Sequence, residues 1–334
     1  MARGAGDEVA LNGAAPGMGR KEAGIAVVVF VVVAAAALRP LLQNLLDNPA
    51  VAHWATIFVA IALQAMPFLA LGVLISAAIA AFVPPDFLPR VLPDRPAYSV
   101  PVAAVAGAAL PGCECGSVPI AGRLVSRGAP AAAALTFLLS APAINPVVLV
   151  ATAVAFPGNP EMVGARFVAS LLASMVVGFV WARFGRDELL GRARKLHSHG
   201  GSKISVLAGT AQHDLLHAGG FLIIGAATAA TLQTAVPRDV LNAVAGKELL
   251  SVLALAALAV VMAVCSEADA FIAASLTQFS LTSRLAFMVV GPMVDVKLIA
   301  LQAGTFSGRF AARFAPLTFA AAVGSSVLIG WWFL

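Results

Sequence analysis

The feature that most constrains this chain is a series of apolar segments long enough to cross a bilayer, two of which are interrupted by chemistry foreign to lipid. A helix rises 1.5 Å per residue and needs about 20 apolar residues to span roughly 30 Å of hydrocarbon. Residues 25–46, 54–83, 129–156, 162–184, 215–236, 284–306 and 316–333 are read as seven such spans. With 60% apolar and 11% charged residues and a mean hydropathy of +0.94, a soluble globular domain is excluded, and the chain reads as an all-α polytopic membrane protein.

Two further apolar segments, residues 98–126 and 249–279, do not run through. The first carries Pro111-Gly112-Cys113-Glu114-Cys115-Gly116-Ser117-Val118-Pro119, the second Cys265-Ser266-Glu267-Ala268-Asp269. Pro removes a backbone donor and Gly loosens the helix, so Pro111, Gly112, Gly116 and Pro119 are expected to break it and expose backbone polar groups at membrane depth. Pro142 and Pro146, which flank Asn145, are expected to break a third segment in the same way.

The two interruptions align with each other. Phe68-Leu69-Ala70-Leu71-Gly72 recurs as Phe221-Leu222-Ile223-Ile224-Gly225, Cys113 falls on Cys265, Cys115 on Glu267, and Pro142-Ala143-Ile144-Asn145 on Pro292-Met293-Val294-Asp295. A common order and near-constant offset indicate a duplicated unit.

Loop charge then decides whether the interrupted segments span or re-enter. The basic loop with Arg183, Arg186, Arg192, Arg194, Lys195 and Lys203 is placed in the cytoplasm. With two re-entrant hairpins, fifteen Lys and Arg fall inside, and five (Arg39, Arg166, Arg238, Lys247 and Arg284) fall outside. With two spans the division is ten and ten, so the hairpins are preferred.

The expected architecture is therefore two inverted-topology repeats, each with three spanning helices plus one re-entrant helical hairpin, and an extra N-terminal helix. Residues 1–22 read as a disordered cytoplasmic tail, 23–46 as the N-terminal transmembrane helix and 53–184 as repeat 1. Residues 185–213 read as the basic cytoplasmic loop and 214–334 as repeat 2. The hairpin tips should meet near the bilayer midplane.

Cys113, Glu114, Cys115, Asn145, Cys265, Glu267 and Asp269 are the candidate substrate-binding residues, because thiols bind soft or borderline solutes and carboxylates favour harder ones. Cys113 and Cys115 are the candidate metal ligands, and the i, i+4 pair His213 and His217 has the spacing to share an ion. Three cysteines do not make a paired disulfide framework, and no Cys-x-x-Cys pair suggests structural zinc. Asp295 and Lys297 lie in an otherwise apolar segment and are assigned to ion pairing or coupling, with Lys297 expected to meet Asp269 or Glu267.

No phosphate-binding Gly-x-x-x-x-Gly-Lys-Ser/Thr run occurs, since Gly246-Lys247 is followed by Glu248, so the chain reads as a transporter that is no enzyme and has no cofactor. Tyr98 is the single tyrosine and no nucleic-acid signature is present. The implied partners are the lipid bilayer and a small thiophilic solute or metal ion, with room for a second copy or an accessory subunit.

The Pro111–Pro119 run, followed by Gly128, Phe137-Leu138, Pro142 and Asn145-Pro146, resembles the predicted-permease family that includes the YraQ-type proteins and the ArsP-type organoarsenical efflux permeases. That resemblance implies a multi-pass permease of a bacterial-type cytoplasmic (inner) membrane. In the arsenical branch, cysteines that bind trivalent arsenic would correspond to Cys113 and Cys115. An alternative from another class is a transmembrane thiol-disulfide conduit of CcdA/DsbD type, in which Cys113 and Cys265 form the redox pair.

Overall fold

The computed structural model describes residues 48–84, 95–109, 113–194, 202–235 and 248–334. The expected tail 1–22, the N-terminal helix 23–46, Pro111 and Gly112 lie outside them. The chain divides into two compact units, residues 1–52 and 53–334. The described helices belong to the second, apart from the opening residues of the helix that leads into it.

All regular structure among the described residues is helical. In chain order the elements are α1 (Pro49–Phe82), α2 (Pro96–Ala109), α3 (Glu114–Ser126), α4 (Ala131–Ala143), α5 (Pro146–Ala155) and α6 (Glu161–Phe184). A 3-10 turn, Asp187–Leu190, then leads into the short α7 (Gly191–Arg194). After it come α8 (Lys203–Ala235), α9 (Glu248–Met262), α10 (Asp269–Ser275), α11 (Leu281–Val290), α12 (Val296–Thr305) and α13 (Gly308–Phe333). The order of α1–α6 recurs in α8–α13: a long helix, a short apolar helix, a break at a cysteine, a short helix, two half-length helices and a closing long helix.

Among the described residues, five helical stretches are long and apolar enough to cross a membrane: α1, α4 continuing into α5, α6, α8 and α13. This is a multi-pass membrane protein. Of the seven spans expected, one lies outside the described residues and another, 284–306, is two half-length helices, α11 and α12. The same division separates α4 from α5. Asn145 and Asp295 explain both breaks, because each adopts extended backbone and caps the helix that follows.

Other boundaries also differ from the sequence reading. Residues 203–213, expected in the basic loop, form the first turns of α8, and α13 starts at Gly308 with Pro316 inside it. Polar and charged residues end an apolar segment without ending a helix, because a helix can project past the hydrocarbon. Pro119 lies within α3 and Gly116 in its first turn, so neither breaks the chain. Pro142 is the penultimate residue of α4, and Pro146 starts α5 where its missing N–H needs no partner. At the far end of α3, Gly128 adopts φ 85°. The Ala129 N–H bonds to the Leu124 carbonyl and the Gly128 N–H to that of Val125, forming a Schellman cap.

Small residues decide which face of each long helix is buried. On α1, Ala65, Leu69, Gly72, Val73, Ser76, Ala77 and Ala80 form a buried stripe at helical spacing, while Leu63, Met66, Leu71 and Leu74 face outward. In lipid a large apolar side chain gains nothing by burial, so close backbone approach through small residues carries the packing. A Cβ on Gly72 would lie 2.3 Å from Gly116 Cα, which brings α1 against the first turn of α3. Elsewhere α2 packs on α4, α4 on α6, α9 on α11 and α11 on α13, while α6 meets α13, α3 meets α12 and α5 meets α10. The last three contacts join residues 49–184 to residues 203–333.

Candidate functional site

The two cysteine breaks have the same backbone construction. The Cys113 carbonyl accepts from the Gly116 and Ser117 N–H groups at 3.1 and 3.2 Å, and the Cys265 carbonyl from those of Ala268 and Asp269 at 2.9 and 3.2 Å. Cys113 is the N-cap of α3, at φ −89° and ψ 174°, and makes no side-chain cap bond. All three cysteines are buried and free of disulfides. The Cys113 thiol lies close enough to those of Cys115 and Cys265 to interact with both. Thiols from the two breaks, 150 or more positions apart in sequence, therefore meet.

Lys297 binds this group together. It projects from the first turn of α12, fully buried, and donates to the Ala263 carbonyl at 2.9 Å and to Cys265 Sγ at 3.7 Å. Its Nζ lies 2.5 Å from Glu114 Oε1 and 3.6 Å from Asp295 Oδ2. These are charge contacts, the first off the hydrogen-bond direction and the second beyond hydrogen-bond distance, and neither oxygen has another hydrogen-bond partner among the described residues. The sequence expectation that Lys297 pairs with Asp269 or Glu267 is therefore corrected. Residue 297 begins a helix that packs on α3, which brings it to Glu114. Ala263, whose carbonyl takes the lysine, is the non-glycine residue with positive φ, 47°, among those described. Left-handed backbone in alanine is costly and is held here by its surroundings.

Asp269 has a different partner, one that sequence reasoning misses. Arg166 of α6, which loop counting assigns to the outer side, is fully buried. It donates from Nη2 to Asp269 Oδ2 at 2.8 Å and to the Ser266 carbonyl at 3.3 Å, and from Nη1 to Thr152 Oγ1 at 2.9 Å. Its place one turn into an apolar helix is the available signal, because an arginine there must find a partner or leave the membrane. Arg123, also a loop charge by that count, is buried and pairs with Asp214 of α8 at 3.0 Å, with Ser76 of α1 bonded to the same carboxylate at 2.8 Å. Glu267 is half-buried, and its Oε2 has no partner among the described residues.

Asn145 is buried and spends its side chain on the α4–α5 joint: Oδ1 accepts from the Val148 N–H and Nδ2 donates to the Ala141 carbonyl, both at 3.0 Å. Asp295 Oδ1 accepts from the Leu298 N–H at 2.6 Å in the matching position. His213 and His217 are exposed on α8, their rings edge to face at 5.9 Å, and His217 Nε2 contacts the Gly304 carbonyl at 3.2 Å. Among the described residues no group of three or more His, Cys, Asp and Glu side chains is arranged to hold a metal ion.

The result is a buried centre with three thiols, four carboxylates (Glu114, Glu267, Asp269 and Asp295) and two cations, Lys297 and Arg166. Among the described residues, Glu114 Oε2, Asp269 Oδ1 and Glu267 Oε2 are acceptors without donors. Such a centre offers soft sulfur ligands beside unsatisfied oxygen acceptors, and it holds more acid than base.

The predicted-permease family model ArsP_1 matches residues 50–331. The UPF0718 protein YcgR of Bacillus subtilis is 37% identical over 262 residues, covering 76% of this chain and 89% of that protein. A putative two-component membrane permease complex subunit of Streptococcus mutans is 32% identical over 281 residues, covering 82% of this chain and 91% of its own length. No solved structure matches the chain. The match spans both cysteine breaks and nearly all the described helices, and the chain belongs to the ArsP_1 family of predicted permeases.

Proposed function

We propose that this protein is a secondary permease of a bacterial-type inner membrane that moves a thiophilic solute, best represented by a trivalent organoarsenical, past the Cys113, Cys115 and Cys265 thiols. The observation that carries this reading is the meeting of thiols from both breaks beside one buried lysine. A methylarsonous acid, with two hydroxyls on arsenic, exchanges them for two cysteine sulfurs; each thiol proton leaves with a hydroxyl as water, and no oxidant is needed. The dithiolate product is neutral, so it adds no charge beside Lys297. Among the described residues no group of three or more His, Cys, Asp and Glu side chains is arranged to hold a metal ion, which favours the metalloid over a metal ion.

In this reading the α2–α3 and α9–α10 pairs are re-entrant hairpins of two inverted repeats, with residues 185–213 on the cytoplasmic side. The matching helix order and the like construction of the two cysteine breaks support it. An accessory subunit completes the assembly, by analogy with the Streptococcus mutans relative, whose name describes one subunit of a two-component complex.

The test is accumulation of methylarsenite, arsenite and zinc in cells expressing the wild type or the Cys113→Ser, Cys115→Ser and Cys265→Ser proteins. The expected result is a change in methylarsenite accumulation on expression, lost in Cys113→Ser and Cys265→Ser. Unchanged accumulation of all three solutes would overturn it. The contact between Cys113 and Cys265 also fits a thiol-disulfide conduit, and trapping thioredoxin in a Cys115→Ser background separates the two: adducts without solute movement mean a conduit.

A further inference from the structure

Away from the thiols, where α6 ends and α13 begins, the chain builds a second site with a different chemistry. The two helices run antiparallel there, with Trp181 of α6 edge-on to Phe310 and Phe314 of α13 at 5.3 and 5.7 Å. The Ser307 hydroxyl donates to the Leu189 carbonyl at 3.1 Å and fastens the 3-10 turn over the same end. Between them lies a cleft of about 160 Å³ lined by Trp181, Phe184, Arg186, Leu189, Arg313 and Leu317.

Three features of this cleft point to one kind of occupant. Arg186 and Arg313 are exposed, and neither guanidinium has an ion pair or hydrogen bond among the described residues. Trp181, 7% exposed, forms part of the lining. The floor and wall are apolar, and α6 continues away from the cleft with Val176 and Phe179 facing outward. A free anion would gain from the arginines and nothing from the floor, whereas an amphiphile gains from both.

We infer that this cleft is a binding site for an anionic phospholipid, its phosphodiester held by Arg186 and Arg313 and an acyl chain lying along α6. A guanidinium presents a planar set of donors that matches phosphate oxygens. The site sits at the end of a spanning helix where headgroups lie, and the cluster of Arg183, Arg186, Arg309 and Arg313 at that end marks it as the cytoplasmic leaflet, which carries anionic lipid.

The test uses the full chain purified in detergent, with Trp54, Trp331 and Trp332 replaced by Phe so that Trp181 is the reporter. Phosphatidylglycerol brominated on its acyl chains should quench Trp181 and raise the melting temperature, while brominated phosphatidylcholine and soluble glycerophosphoglycerol should do neither at equal concentration. Arg186→Gln with Arg313→Gln should weaken the phosphatidylglycerol effect at least about tenfold, with melting in phosphatidylcholine unchanged to show that the fold is kept. Equal quenching and stabilisation by phosphatidylcholine, or equal stabilisation by the soluble headgroup, which carries no bromine, would overturn the assignment, as would full phosphatidylglycerol binding by the double variant.

Discussion

Lys297 is the residue on which most of the buried centre depends. Its ammonium is the positive charge beside Glu114 and Asp295, and both carboxylates are fully buried. Removing one partner of a buried ion pair costs more than the pair is worth, because a charge is left in a low-dielectric interior. Lys297→Met should therefore lower stability by about 3–5 kcal/mol, measured by thermal or detergent unfolding. Lys297→Met with Glu114→Gln should recover part of that loss, since Asp295 is then the one carboxylate left without the lysine's charge. A double variant no better than the single would show that the lysine acts through its bonds to Ala263 and Cys265.

Among the elements, α3 and α10 adjoin the thiols, and what places α3 is a glycine contact more than any polar bond. A Cβ at Gly72 would meet Gly116 Cα at 2.3 Å, carbonyl carbon and oxygen lying nearly as close, so backbone would have to move. Gly72→Ala should cost about 1–3 kcal/mol and reduce solute movement with it, by shifting Cys115 and Glu114. Gly164→Ala on α6 has nothing within 4 Å of the new methyl and should leave stability within about 0.5 kcal/mol. Equal effects of the two would mean that α1 and α3 do not pack this closely. The capping positions Asn145 and Asp295 are legible in the sequence as aligned polar residues in apolar runs. That they start new helices and are not merely kinks is not legible there, because a cap is defined by local backbone direction.

For the whole molecule, the buried pairs Arg123–Asp214 and Arg166–Asp269 each join a residue from 49–184 to one from 203–333. The thiol group does the same. If the halves are inverted and the breaks re-entrant, cysteines placed at residue 95 and at residue 309 must react with a membrane-impermeant maleimide from the same side, the side of Arg183 and Arg186. Labelling of both from the face opposite Arg183 and Arg186 would return the interrupted segments to full spans and remove the midplane site. The contacts of Trp181 with Phe310 and of Ser307 with Leu189 already put two of these basic segments at one end of the molecule.

The membrane class, and the cysteine, asparagine and aspartate that mark the interruptions of its apolar runs, were determined by the sequence, because lipid imposes local requirements: each apolar run needs its length, and each break needs Pro, Gly or a capping side chain nearby. Which charge answers which was decided by the tertiary structure alone. Arg166 and Arg123 read as loop residues because each lies near the edge of an apolar run, yet packing brings both inside. Depth alone pairs Lys297 with the wrong carboxylate for the same reason: several acids share that depth, and only the packing of α12 on α3 selects Glu114. Depth is a property of one segment, whereas pairing is a property of two, and Coulomb energy in a low-dielectric interior rewards only the charges that end within a few ångströms of each other.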